Sequence, residues 1–565
     1  MAVEHDLPPA EAGTAGTGGR RTTAQAVVEG LVAHGVDTVF GIPGVQTYPL
    51  FDALGERSDA IRLIGARHEQ TCGYMALGYA QSTGRTGVCS VVPGPGILNA
   101  SAALLTALAT NTPVVAVTSE VPTAYMGRGM GHVHEMPDQL ATIRSFTKWA
   151  ADVMEPEQAP GLLAEAFFHA RSGRPGPTAL AVPWDVLETS AIIEPTAPLP
   201  ITGGPTLDPS ALSAAVDLLA GARNPMILVG GGARDAADAV RALASQLQAP
   251  VVSLRSGRGV VPDADPLGFT SASGFERWAE TDVLLAIGTR QELVWFRWPD
   301  SPAGLRTINL DIDPAQHERL QPTVALTADA REGSTALLDA LRGVSGPAAS
   351  RAEEFASIKS QAEAEQAGFL QPHWDYLHAI RDALPDDGFF VEEISQMGFS
   401  SLFGFPVNKP RHFITSGYQS NLGFGYPTSL GVKAAHPTTP VVSVTGDGGF
   451  LFGANELATA VQYDLGVVAV VFDNSAFGNV KADQQRIFSR DVAATLRNPD
   501  FVALARAYGA DGYRADSPAE LRGVLDTAFE NNRPAVVHVP MPLDIATSPW
   551  RFLQPASRQG ARTQP

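Results

Sequence analysis

Short apolar, β-branched runs alternate with amphipathic stretches along almost the whole chain. VDTVFGI, TGVCSVV, PVVAVTS and TALAVP carry no polar alternation, which predicts strands buried on both faces. PMILVGGG, APVVSL, DVLLAIG and RTINLDI repeat the pattern, and PVVSVTGDG, VVAVVFDN and AVVHVP repeat it again. Such strands, separated by helical patterns, predict parallel sheets built from βαβ units. Two stretches break the rhythm. Glu188 to Ser210 is dense in Pro, Gly, Ser and Thr, and Gly343 to Gln371 has no strand signal. Cutting there predicts an α/β chain of three doubly wound, mostly parallel-sheet domains at 22–187, 209–342 and 372–550. Loose tails are expected at 1–21 and 551–565.

Composition narrows the class. The 565 residues suit three to four domains. A net charge of −19, with 18% charged and 44% hydrophobic residues, suits a chain that buries large cores. No basic block offsets the acidic balance, so neither nucleic acid nor an anionic membrane is an expected partner. No run of about 18 apolar residues predicts a membrane span, and residues 1–21 lack the apolar segment of a signal peptide. A cytoplasmic location is the expectation. Cys72 and Cys89 lie in apolar stretches and read as small buried thiols.

The chemistry is most legible between Pro440 and Val480. A strand runs into Gly446-Asp447-Gly448-Gly449, a helix follows near Ala454–Tyr463, and a second strand ends at Asp473-Asn474. Asp447 and Asn474 therefore emerge at the carboxyl ends of two parallel strands, where open α/β sheets bind ligands. Gly448 and Gly449 let backbone N–H groups approach a phosphate at a helix start. A carboxylate and an amide oxygen are hard ligands, and Mg²⁺ takes few of them alongside phosphate oxygens. Either dipeptide alone would be an ordinary strand-ending turn. The pair, 27 positions apart with one crossover between, predicts a Mg²⁺–diphosphate site.

Gly-Asp-Gly with an Asn at this distance resembles the cofactor fingerprint of thiamine-diphosphate enzymes, and the chain from about Thr22 to Pro549 is similar to the acetolactate synthase-like group. The resemblance implies the domain order pyrimidine-binding, central, diphosphate-binding. It also implies Mg²⁺ held by Asp447, Asn474 and the Ala476 carbonyl. Gly448, Gly449 and Gly478 would line the diphosphate, with Gly446 and Phe477 among the cofactor-binding positions. Ser395 and Gln396 lie where relatives place further diphosphate contacts. Leu422 would wedge the cofactor into its bent shape, and the Ser420 carbonyl would accept from its aminopyrimidine. In the first domain Phe40-Gly41-Ile42-Pro43-Gly44 ends a strand, and Arg67-His68-Glu69-Gln70 precedes an apolar helix. By resemblance Glu69 is the catalytic carboxyl that shares a proton with the pyrimidine of a cofactor bound to a neighbouring subunit. A homodimer or homotetramer with active sites at its interface follows. Pro93-Gly94-Pro95-Gly96 with Asn99 resembles the family's turn beside that site.

The substrate side departs from the synthases. Their Gln near the reacting carbonyl is replaced, by register, with His134 in His-Glu-Met-Pro-Asp-Gln, a string similar to decarboxylases of larger or polar 2-oxo acids. His132 is the weaker alternative. Ser256-Gly257-Arg258-Gly259 and Ile287-Gly288-Thr289-Arg290 resemble flavin-side segments, yet Arg-Phe-Asp-Asp-Arg reads Arg290-Gln291-Glu292-Leu293-Val294 here. Arg290 is then a candidate clamp for a substrate carboxylate. Asp483 replaces the synthases' acceptor-setting Trp. FAD binding and acetolactate synthesis are left open by these departures, and Gly230-Gly231-Gly232 reads equally as a flavin contact or a strand-end turn. The resemblance implies a thiamine-diphosphate- and Mg²⁺-dependent decarboxylase of a 2-oxo acid, with or without carboligation. A lyase of a diketone or an acyl-CoA is the runner-up, and an inactive nucleotide-binding or regulatory α/β protein stands behind it.

Overall fold

The computed structural model describes residues 19–201, 204–344, 346, 348–543 and 548–557. All three expected sheets form, each six-stranded and parallel. The first runs Arg62–Gly65, Thr38–Gly41, Gly87–Val91, Val114–Glu120, Thr178–Pro183, Trp149–Asp152. The third runs Phe413–Ile414, Phe389–Glu392, Val441–Gly446, Val467–Asp473, Ala535–Pro540, Asp511–Arg514. Numbered along the chain, both follow one order: second, first, third, fourth, sixth, fifth. The central sheet instead follows third, second, first, fourth, fifth, sixth, the order of dinucleotide-binding folds. In the first and third sheets the winding direction reverses between the first and third strands, which opens a crevice at their carboxyl ends.

The ends of the first domain are tied together. Arg20–Thr22 pairs antiparallel with Ser190–Ile192, so the last residues of the expected tail and the first of the expected linker form a small ribbon. Residues 1–18 and 558–565, the bulk of both expected tails, lie outside the described set. Among the described residues no helix is long and apolar enough to cross a membrane. Cys72 and Cys89 are buried free thiols, and burial pushes the Cys89 thiol up to about 12.

The helix Glu69–Thr83 is buried all round from Thr71 to Ser82 because the third domain's helix Gly425–Ala435 packs against it. A Cβ at Gly78 would stand 2.1 Å from the Thr428 carbonyl oxygen, and one at Gly431 would stand 1.9 Å from that of Met75. The two helices therefore meet backbone to backbone. Gly431→Ala should push them apart, and overpacking against main chain costs about 3 kcal/mol or more. A lowered thermal midpoint checks this; an unchanged midpoint contradicts the close approach.

Candidate active site

Gly446 pairs with Phe472 on the neighbouring strand, so Asp447 and Asn474 leave the third sheet side by side. Asp447 is buried, at 2% exposure. Its carboxylate accepts backbone N–H groups of Gly448 and Ala476, while burial, followed by the nearby Asp473 charge, raises its pKa. Asn474 Oδ1 accepts from the Ala476 N–H at 3.1 Å. Phe477 lies over Gly448, where a Cβ would be 2.6 Å from its ring, and Gly478 leaves 2.7 Å between its missing Cβ and the Asn474 amide nitrogen. The expected residues Gly446 to Gly449 and Asn474 to Gly478 thus form one cluster.

Behind them stands a polar relay that the sequence reading did not single out. Asn498 Nδ2 donates to Asp447 Oδ2 and to Asp473 Oδ1, both at 2.7 Å. Asp473 also meets His538 Nε2 at 3.0 Å. Burial would raise Asp473, but hydrogen bonds from His538, the Ser475 N–H and Asn498 outweigh it and hold the carboxyl at about 2.

The arrangement fits a diphosphate with a divalent cation. Ser395 caps the helix Gln396–Gly404 by accepting from the Gly398 N–H at 3.0 Å. A Cβ on Gly446, just before the next helix start at Asp447, would be 3.3 Å from Ser395 Cβ. Two helix starts, each with first-turn N–H groups that lack intrahelical partners, therefore flank the crevice of the third sheet. Among the described residues no group of three or more His, Cys, Asp or Glu forms a metal cage. Asp447, Asn474 and the Ala476 carbonyl could supply only part of a Mg²⁺ shell, the complement of what phosphate oxygens would provide.

Glu393 braces this half. It is buried, accepts the Gly425 N–H at 2.7 Å, and is pushed by burial up to about 8. Ser420 adopts a left-handed backbone, φ 52°. The next residue, Asn421, donates to the Tyr74 hydroxyl and accepts from Thr106 Oγ1 at 3.1 Å. The Leu422 loop is thereby fastened to the first domain, with Leu422 half-buried.

Glu69 opens its helix, where the helix dipole favours an anion. His68 caps that helix by accepting from the Gln70 N–H at 3.2 Å. The N–H of Arg67 donates to the fully buried Glu456 carboxylate at 3.0 Å. A residue of the third domain thus holds the segment that carries Glu69. Asn99 Nδ2 donates to Glu69 Oε2 at 3.0 Å.

His134 lies within the field of this carboxylate. Burial lowers the imidazole pKa, the Glu69 charge raises it and His132 lowers it. Its Nδ1 meets Gln46 Oε1 at 2.8 Å, and Gln46 Nε2 donates to the Val133 carbonyl at 2.8 Å. Gly94 presses on the same loop: with φ 60°, its missing Cβ would be 2.5 Å from the His134 carbonyl oxygen. Gln46 and Gly94 follow the first and third strands of the first sheet, so His134 sits over that sheet's own crevice. His132 instead stacks on Tyr125 at 4.5 Å.

Arg290 is not brought to this cluster within one chain. It is exposed and donates to Asn111 at 3.4 Å. Asn111 lies past the far end of the helix Pro95–Ala109, whose start carries Gly94; that helix is about 22 Å long. In the central domain, Cβ atoms on Gly230 and Gly232 would stand 2.5 Å and 2.9 Å from Gly288. Strand-end packing requires glycine at these two positions whether or not a flavin lies there.

Family models match in three consecutive blocks. The thiamine pyrophosphate enzyme N-terminal TPP binding domain matches residues 21–142, the central domain 212–341 and the C-terminal TPP binding domain 394–539. A probable 2-ketoarginine decarboxylase of Pseudomonas aeruginosa is 37% identical over 517 residues, covering 90% of this chain and 92% of the relative. Acetolactate synthase isozyme 2 large subunit of Escherichia coli is 32% identical over 550 residues, covering 94% and 98%. A sulfoacetaldehyde acetyltransferase of Castellaniella defragrans is 31% identical over 586 residues, covering 94% and 96%.

Proposed function

This chain belongs to the thiamine pyrophosphate enzyme family, and from that premise we propose that it decarboxylates a 2-oxo acid with thiamine diphosphate and Mg²⁺. Asp447, Asn474 and the Ala476 carbonyl hold the cation. Gly446, Gly448, Gly449, Phe477, Gly478, Ser395 and Gln396 hold the diphosphate, and Ser420 and Leu422 set the rings. When bound, thiamine diphosphate supplies the carbon nucleophile for the keto group and the electron sink that lets CO₂ leave. Glu69 shares a proton with the pyrimidine nitrogen, and Asn99 keeps its carboxyl oriented.

The observation that carries the reaction type is His134 held over the first sheet's crevice by Gln46 and Gly94, within the field of the Glu69 charge. Loss of CO₂ without oxidation would have to be balanced by a proton delivered to the carbon that held it. His134 can take one at Nε2 and return it to the reacting carbon or oxygen. A relative named a 2-ketoarginine decarboxylase supports a 2-oxo acid with a long polar side chain as substrate. His134→Ala should lower kcat by about 10²–10⁴-fold with cofactor affinity unchanged. Aldehyde formation at wild-type rate in that variant would remove His134 from the mechanism.

Relatives named acetolactate synthase support a second reading, in which the carbon is passed to another carbonyl instead of being protonated. Product analysis separates the two: an aldehyde for decarboxylation, a hydroxyketone for carboligation. Glu69 and Asp447 act in one site across two subunits, so the working form is at least a homodimer. Exposed Leu451, Phe452, Val480, Ile487 and Phe488, all close in sequence to the cation ligands, support a covered face there.

A further inference from the structure

Gln46 has a residue's worth of evidence against being filler. It is fully buried at 0% exposure, and its backbone is left-handed, φ 74°, a conformation that a non-glycine residue holds only when its surroundings enforce it. The enforcement is visible. Thr47 Oγ1 accepts from the Gly44 N–H at 3.1 Å and donates to the Gly44 carbonyl at 2.9 Å, which closes the turn around Gln46. Both ends of the Gln46 amide are then spent on consecutive residues of the His134 loop.

We infer that Gln46 is a positioning residue that fixes the tautomer and ring orientation of His134, an inference that rests on the proposed proton-handling role of that imidazole. The Val133 carbonyl can only accept, so the Gln46 end that meets it is the NH₂ group. The other end is then the amide oxygen, which can only accept, so the proton on neutral His134 sits on Nδ1. Nε2 is left as the bare nitrogen. Rotating the amide would set its oxygen against the Val133 carbonyl oxygen, so the selection is locked by the backbone of residue 133. The titratable groups whose charge reaches His134 are Glu69, from the helix Glu69–Thr83, and His132, from its own loop. The turn at Gly94 presents only backbone.

Two substitutions separate positioning from mere packing. Gln46→Glu places a carboxylate against Nδ1–H and favours the imidazolium, as an adjacent opposite charge does by about one to three pH units. Activity needs the bare Nε2, so it is lost as pH falls through the His134 pKa. A raised pKa therefore moves the acid limb of kcat/KM to higher pH, by about one unit or more. Gln46→Leu removes the acceptor and should lower kcat by about 10–100-fold, move the acid limb the other way, and leave KM and cofactor affinity near wild type. Opposite movements support the assignment. Limbs that stay in place in both variants, with activity falling alike, would make Gln46 structural only. Nitrogen-15 NMR of histidine-labelled wild-type protein without cofactor, with His134→Ala for assignment, reads the tautomer directly and needs no turnover. An Nδ1–H form supports the inference, and an Nε2–H form overturns it. If the wild type shows no thiamine-diphosphate-dependent turnover, the functional reading fails while this spectrum still decides on Gln46.

Discussion

Glu69→Gln should lower turnover by about 10²–10⁴-fold, the range for a positioned acid–base group, while Mg²⁺-dependent cofactor binding stays within about threefold of wild type. The substitution keeps the size of the side chain and its contact with Asn99, which can turn its amide to match the new group. It keeps the His68 cap and the Glu456 contact to Arg67, because both run through the backbone or through other residues. It removes only the ability to exchange a proton. The proposed diphosphate and cation contacts lie on the third domain and are untouched. Rapid-quench turnover beside calorimetric binding checks both halves of the expectation. Near-normal turnover would refute the role of Glu69, and lost cofactor binding would show that the residue acts in binding instead.

Asp447→Ala should fail at the opposite step. It removes the one carboxylate of the proposed cation shell and takes away an acceptor of the Asn498 amide and of the Gly448 and Ala476 N–H groups. Truncating one side of a buried, hydrogen-bonded charge contact costs about 2–5 kcal/mol. Affinity for thiamine diphosphate in the presence of Mg²⁺ should therefore fall by about 30-fold or more, and activity should be partly restored by excess cofactor and cation. Calorimetric titration at fixed Mg²⁺ measures this. Unchanged affinity would move the cation site elsewhere.

The contrast between these residues and their supports shows where sequence reading ran out. Asp447 and Asn474 were legible because each ends an apolar run and one crossover separates them, which forces neighbouring strands to deliver both to one edge. Glu69 was singled out only through resemblance, since a lone Glu at a helix start has no pattern of its own. Gln46, Glu456, Glu393 and Asn498 had no signal. Each is a single polar residue whose meaning lies in a distant partner: Glu456 in Arg67, 389 positions away, and Gln46 in His134, 88 positions away.

Edge strands were lost for a related reason. Arg62–Gly65 and Asp511–Arg514 carry charged residues and pair on one side only, so no continuous apolar run marks them. The helix read at 454–463 is divided into a 3₁₀ turn, Ala454–Glu456, and a helix, Leu457–Gln462. The division falls where Glu456 turns inward to the first domain. The glycine triplet was open between a flavin contact and a turn because Gly230 and Gly232 approach Gly288 so closely that packing requires glycine there whatever binds.

The most direct test is CO₂ release from a panel of 2-oxo acids, comprising pyruvate, 2-oxobutyrate, benzoylformate and a guanidino-bearing acid, with and without thiamine diphosphate and Mg²⁺. The account predicts release from at least one acid, strongest with a long polar side chain, that requires both cofactor and cation. Confirmed cofactor binding without release from any 2-oxo acid, and cleavage of a diketone or acyl-CoA instead, would contradict it.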